Sequence, residues 1–291
     1  MKLNIRTVAL FGKEGSDEVV ESLSLLRAHL EQRGYVVLVE DEIASSLGML
    51  AWAASYESIC AHADVAIVLG GDGTLLGAAR RMAANGIPLV GINQGRLGFM
   101  TDIARTDMIA AIDRLLAGEF SADHRMLLET TVWRDGAEVF RTPALNDVVL
   151  SKGDTGRMIE IEVRIDGEFL YVLRADGLIV ATPTGSTAYA LSANGPILHP
   201  AVPGIALVPL CPHALTHRPI TISDSSRVEM QLVAQHDAGL HCDGQSHFEA
   251  RNGDQVRIER SRHDVVLLHP PGYSYFAMLR EKLHWSTTPH R

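Results

Sequence analysis

The chain has 291 residues, 46% of them hydrophobic and 21% charged, with a formal net charge of −9, the make-up of a soluble globular protein with one large domain or two ordinary ones. An acidic balance with a pI of about 5.8 argues against a broad nucleic-acid surface, while leaving room for a small phosphate site. Cys60, Cys211 and Cys242 are far apart with no CxxC, which fits a reducing cytosol, and neither a signal-peptide stretch nor an uncharged run of the roughly 18 residues a membrane span needs is present.

Strand and helix alternate over the first ~120 residues. Residues 7–11 predict a strand. Residues 18–33 place Val19, Leu23, Leu26 and Leu30 at helical spacing, with Gly34 as the stop. Residues 35–39, 65–69 and 88–92 predict further strands, and 105–116 a helix ended by Gly118. Such alternation predicts a parallel sheet covered by helices on both faces, with ligands beyond the carboxyl ends of its strands.

Beyond residue 123 the pattern becomes β-rich. Residues 130–134 and 138–141 flank Asp135-Gly136, and 159–165 and 169–174 flank Asp166-Gly167, two strong hairpin signals. Strands are also expected at 206–209, 227–232, 256–259 and 265–268, then a helix at 273–283 and a frayed end at 286–291. The fold expected is therefore α/β plus β. A Rossmann-like parallel-sheet domain spans 1–122 and 270–291, its C-terminal helix returning to it. An antiparallel β-sandwich domain spans 123–269.

The segment that carries most chemistry is Gly70-Gly71-Asp72-Gly73-Thr74, a glycine-rich turn between the buried strand 65–69 and a helical pattern. Glycines there let backbone N–H groups approach phosphate oxygens. A carboxylate beside a phosphate is repelled unless a cation intervenes or it acts on a hydroxyl proton, so Asp72 points to phosphoryl transfer. The loop is neither GxxxxGK[ST] nor GxGxxG, so main-chain amides and a divalent cation must hold the phosphates.

Other segments are hard to explain as scaffold. Asn93-Gln94-Gly95-Arg96-Leu97-Gly98-Phe99 follows the fourth strand. Asn146-Asp147 interrupts an apolar strand, and an amide–carboxylate pair suits a purine edge or a ribose diol, a bulge or turn being the alternative. Arg174-Ala175-Asp176-Gly177 leads into Thr182-Pro183-Thr184-Gly185-Ser186-Thr187-Ala188-Tyr189, a candidate phosphate or ribose nest with Tyr189 to stack on a base; a plain turn capped by Ser186 or Thr187 is the competing reading. The loop 211–219 holds two prolines with His213 and His217 at i,i+4 spacing, but the prolines disfavour the helix a metal pair would need. Asp243-Gly244-Gln245 reads as a turn whose glutamine could reach a ligand.

In their order along nearly the whole chain, these segments resemble the NAD kinase family, of the type found in Gram-negative bacteria. The GGDG loop is shared with lipid kinases and phosphofructokinases, whereas the Thr182–Tyr189 string within a β-rich half is far more specific. The resemblance implies transfer of the γ-phosphoryl group of ATP to the 2′-hydroxyl of the adenosine ribose of NAD. Asp72 would be the general base, and Gly70, Gly71, Gly73 and Thr74 the phosphate loop. Contacts to NAD would come from Asp72, Gly73, Asn146, Asp147, Arg157, Arg174, Asp176, Thr187, Ala188, Tyr189, Ser192 and Gln245, with Asn93, Leu97, Gly98, Phe99 and His213 as an additional pocket. A divalent cation, Mg²⁺, would arrive with ATP, and the enzyme would be a cytoplasmic homo-oligomer, a tetramer or dimer. Many family members carry Asn-Glu where this chain has Asn146-Asp147, so the acid here is one methylene shorter. Arg174 resembles the pattern of members that use NAD and reject NADH. Two other readings share parts of the pattern: a lipid or sugar kinase with the same loop, and a non-catalytic NAD(P)-binding regulator.

Overall fold

A computed structural model describes residues 4–285 apart from 14, 96, 154–156 and 234–237. Expectations for Arg96 and for 286–291 lie outside the described residues. The chain divides into two compact units, Met1–His124 with Val265–Arg291, and Arg125–Asp264.

The first unit is a parallel α/β sheet. Its elements are β1 (Thr7–Gly12), α1 (Asp17–Gln32), β2 (Val36–Glu40), α2 (Asp41–Ser46), β3 (Ala53–Ala54), α3 (Tyr56–His62), β4 (Val65–Leu69), α4 (Asp72–Met82), β5 (Leu89–Asn93), β6 (Ile103–Ala104) and α5 (Met108–Leu116). The strand order is β3-β2-β1-β4-β5, with β6 on β5, and every pairing is parallel. This is the doubly wound order whose direction reverses between β1 and β4, and ligands bind at that switch beyond the strands' carboxyl ends. β4 and β5 are buried at every position, as strands covered on both faces must be. The periodic face of α1, Val19, Leu23, Leu26 and Leu30, joins the core with Val8, Leu10, Ile67 and Ile92.

The second unit contains two antiparallel sheets. Its strands are β7 (Ser121–Arg134), which begins in the first unit, β8 (Ala137–Ala144), β9 (Asp147–Lys152), β10 (Ile159–Ile165), β11 (Glu168–Ala175) and β12 (Gly177–Ala181). After the short helix α6 (Tyr189–Ser192) come β13 (Gly204–Leu210), β14 (Ile220–Ser223), β15 (Val228–Leu232), β16 (Ala238–Cys242), β17 (Ser246–Ala250) and β18 (Gln255–His269). One sheet runs β14-β13-β12-β9-β16-β17, and the other contains β11-β10-β15-β18 and the hairpin of β7 and β8. Leu128, Ile161 and Met230 meet Leu150, Val180 and Leu240 in one core, the signature of a sandwich. Both predicted hairpins turn as expected, with Asp135, Gly136, Asp166 and Gly167 all at positive φ.

Two expectations need correction. The helix over 105–116 opens with a 3₁₀ turn, Arg105–Asp107, and is α-helical only from Met108. The strands expected at 256–259 and 265–268 are one strand, β18. Val228–Gln231 of β15 pairs with its first part and Leu89 of β5 with Leu267, and the two units divide inside it at 264/265 and inside β7 at 124/125. The chain closes with α7 (Tyr275–Lys282) in the first unit.

Candidate functional site

In the first unit, β4 ends at Leu69 and Gly70-Gly71 turns the chain into α4, whose first residue is Asp72. The backbone N–H of Gly70 donates to Ile92 O of β5 and that of Lys13 to Leu69 O, which seats the turn at the switch between β1 and β4. Gly70 is required by packing, because a Cβ there would stand 2.6 Å from Thr74 Oγ1. Gly71 and Gly73 differ: among the described residues, apart from their chain neighbours and the backbone of α4, no atom lies within 4 Å of a Cβ built on either. Gly71 precedes α4 and offers no capping side chain to its N-terminus.

The loop between β5 and β6 closes on Asp72. Oδ2 accepts the N–H of Phe99 at 2.7 Å. Oδ1 accepts the N–H groups of Met100 at 3.0 Å and Thr101 at 3.1 Å and the Thr101 hydroxyl at 3.2 Å. Two glycines, Gly98 of this loop and Gly91 of β5, follow from the same geometry. A Cβ on Gly98 would overlap the Asp72 carboxylate, and one on Gly91 would stand 2.8 Å from Met100 O. Asn93 is buried and accepts the N–H of Gly95 at 2.5 Å, turning the chain as it leaves β5. A cavity of about 690 Å³ is lined by Asn93, Gly95, Leu97, Ala104, Glu281, Lys282 and His284. Asn93 and Leu97 line the cavity, Gly98 and Phe99 adjoin Asp72, and His213 lies on the loop after β13 in the second unit.

In the second unit, Asn146-Asp147 does not interrupt a strand. Ala144 ends β8, Leu145-Asn146 is a bend, and Asp147 starts β9. The bend exists because Asp243 holds it. Asp243 Oδ2 accepts the N–H of Leu145 at 2.8 Å, and Oδ1 accepts those of Asn146 at 2.7 Å and Asp147 at 3.0 Å. The N–H of Asp243 donates back to Asp147 O. Asp147 is buried beside this second carboxylate; burial first, and the Asp243 charge second, push its pKa up to about 7.

The bend is also tied to the 182–189 segment. The N–H of Thr182 donates to Asn146 O and its hydroxyl to Leu145 O at 2.5 Å, while the N–H of Gly185 donates to Thr182 Oγ1. A Cβ on Gly185 would stand 1.9 Å from Asn146 O. Neither Ser186 nor Thr187 is an N-cap. Ser186 donates to Pro183 O and accepts the N–H of Leu198, and Thr187 donates to Thr184 O. Ala188 follows that turn, and half-exposed Tyr189 and exposed Ser192 begin and end α6.

Asp176 pairs with Lys152 at 2.8 Å, Arg174 is exposed on β11 with its carbonyl accepting from His213 N–H, and Arg157 is exposed ahead of β10. Gln245 follows Asp243 and Gly244, both at positive φ, in the β16–β17 turn. Asp243 and Thr101 are the positioning groups that sequence reasoning missed. The only signal for Asp243 was its Asp-Gly turn dipeptide, and for Thr101 its place just after the glycine-rich loop.

Residues 8–120 match the ATP-NAD kinase N-terminal domain and residues 145–269 the ATP-NAD kinase C-terminal domain. The chain is similar to an NAD kinase of Aromatoleum aromaticum, with 59% identity over 100% of this chain and 98% of that protein. It is also similar to one of Azoarcus sp., with 57% identity over 99% of each. Among solved structures it resembles yeast NADH kinase complexed with NADH, with a TM-score of 0.91 and 25% identity over 98% of this chain and 89% of that one. An Archaeoglobus fulgidus NAD kinase in complex with ATP shares the fold, with a TM-score of 0.74 and 23% identity over 97% of this chain and 100% of that one.

Proposed function

The chain belongs to the ATP-NAD kinase family, and from that premise we propose how its residues share the work of moving the γ-phosphoryl group of ATP to the 2′-hydroxyl of the adenosine ribose of NAD, giving NADP. Both domain matches and the relatives disfavour a lipid kinase, a sugar kinase and a non-catalytic regulator.

Asp72 is the general base. The observation that carries this is the uneven use of its two oxygens: among the described residues Oδ1 takes three donors and Oδ2 only the Phe99 N–H. With roughly two acceptor positions per carboxylate oxygen, Oδ2 retains one for the ribose hydroxyl. In a loose transition state the proton leaves late, so an ordinary carboxylate suffices. Phosphate oxygens are received in the side-chain space beside Gly71 and Gly73 at the start of α4, with Gly70 and Thr74 shaping the turn.

In the second unit Asn146 and Asp147 hold the adenosine or its ribose, on a bend fixed by Asp243. Asp176, Thr187, Ala188 and Ser192 line the dinucleotide site, Tyr189 stacks on a base, and Arg157, Arg174 and Gln245 add further contacts. Mg²⁺ would be brought by ATP, since that ion binds chiefly through phosphates and one or two carboxylates. Bound there, the ion neutralises charge on the transferring phosphates.

We also place the enzyme in the cytoplasm as a homo-oligomer, a tetramer or dimer. Exposed Phe169, Leu170 and Val172 on β11, the end strand of its sheet, support an interface between copies. No helix among the described residues is long and apolar enough to cross a membrane.

The test is NADP formation from NAD, ATP and Mg²⁺ by the wild type and by Asp72→Asn. Turnover lower by about two orders of magnitude or more, with NAD binding kept, is expected. Near-normal turnover would remove Asp72 from the role of base.

A further inference from the structure

His269 ends β18 and is 1% exposed, yet the mechanism above leaves it without a task. Its Nδ1 contacts Asp102 Oδ2 at 2.9 Å, its Nε2 lies 3.5 Å from Asp123 Oδ2, and its ring stacks on Tyr273 with centroids 3.8 Å apart. Asp102 is itself buried, and among the described residues its carboxylate has no other hydrogen-bond partner, Oδ1 having none. Asp102 directly follows Thr101, whose N–H and hydroxyl are two of the three donors to Asp72 Oδ1. The other side of His269 is rigid, because Leu267, two residues earlier, pairs with Leu89 of β5.

We infer that His269 is a positioning residue for the phosphoryl-transfer step: it clamps Asp102, so that Thr101 and the Phe99–Thr101 amides hold the Asp72 carboxylate with Oδ2 turned to the substrate. The inference rests on the reading of Asp72 as base. Burial alone would push the imidazole pKa down, but Asp102 and Asp123 overcome it and raise it, which favours the charged donor the clamp needs. A neutral histidine with its proton on Nε2 would turn an acceptor nitrogen toward the Asp102 carboxylate and leave it buried without a donor, an arrangement folded proteins avoid. Without its clamp the 97–102 loop would be free to slide over α4, and a base misplaced by about 1 Å costs on the order of a hundredfold in rate.

Two conservative substitutions separate positioning from mere stability. His269→Asn keeps an N–H close to the place of Nδ1, while His269→Gln carries its amide toward Nε2 and abandons Asp102. His269→Gln is expected to lower kcat by about tenfold or more, with KM for NAD and for ATP within about twofold of wild type, and His269→Asn to restore most of the loss. Asp102→Asn, read in the same way, serves if His269→Gln does not fold. Combined with Asp72→Asn, His269→Gln should cost less than about twofold more, because both act through one carboxylate.

Wild-type kcat in His269→Gln, equal losses in the Gln and Asn variants, or a full further loss in the Asp72→Asn background would each overturn the inference. Normal turnover by Asp72→Asn alone would instead overturn the reading of the base, so the two failures are told apart.

Discussion

A Cβ placed on Gly98 would stand 2.0 Å from Oδ1 of Asp72. The glycine and the acid, on loops that leave neighbouring strands, thus occupy one space, and only a residue without a side chain lets the β5–β6 loop donate its N–H groups to the carboxylate. Gly98→Ala must push the carboxylate or the loop aside. The expected result is a fall in kcat of about a hundredfold in the coupled NADP assay, with a stability loss of roughly 1–3 kcal/mol in denaturant titrations. A variant with wild-type turnover would show that Asp72 does not depend on this cradle.

Asp147 carries a pH signature. Its pKa is raised on folding from the ordinary carboxylate value of about 4 to about 7. Between those values the folded chain binds more protons at this group than the unfolded one, so its contribution to stability falls as pH climbs through the window and stays low above it. The full penalty is up to about 4 kcal/mol. Asp147→Asn should therefore flatten the stability profile between about pH 4 and pH 7 and gain stability near pH 8. If the ionised carboxylate accepts hydrogen bonds from adenosine, KM for NAD in the wild type rises as pH falls below about 7, and in the variant it is high at every pH. Parallel stability profiles for the two proteins would refute the raised pKa.

Asp243 gives a prediction about a residue that touches no substrate in the proposal. It accepts three backbone N–H groups from the Leu145–Asp147 bend and sits at φ 56°. Asp243→Asn tolerates that backbone but has one carbonyl oxygen in place of two carboxylate oxygens. A loss of about 1–2 kcal/mol in stability and a severalfold higher KM for NAD are expected, with a smaller change in kcat. Unchanged KM would separate the bend from NAD recognition.

Strand–helix alternation made the parallel sheet legible, because β4 is a continuous apolar run ended by Gly70 and β5 a mostly apolar one opened by Pro88. The Asp-Gly hairpins were equally legible, since they demand two successive positive φ angles. What local pattern could not reveal was pairing at long range. Hidden links such as Asp243 to the bend at 145–147, Thr101 to Asp72 and His269 to Asp102 join residues about 30 to 170 positions apart and follow only from the sheet register. The single strand β18 was hidden for a related reason: the polar stretch Arg260–Asp264 reads as a loop, yet it is half-exposed backbone between two sheet pairings.

Two glycines make a matched pair for a final test. A Cβ on Gly185 would collide with Asn146 O, which already accepts the Thr182 N–H. A Cβ on Gly73 would meet no atom of the described residues within 4 Å beyond its chain neighbours and the backbone of α4. Gly185→Ala should therefore cost stability, about 1–3 kcal/mol by denaturant titration, and raise KM for NAD by shifting the Asn146–Asp147 bend. Gly73→Ala should fold as well as wild type, with alanine entropy if anything favouring the folded helix. Its kcat/KM should nevertheless fall by about tenfold or more, because the space the methyl enters is the one proposed for substrate phosphates. Full activity in Gly73→Ala would place the phosphates elsewhere, and full stability in Gly185→Ala would mean that the bend yields more readily than its hydrogen bonds imply.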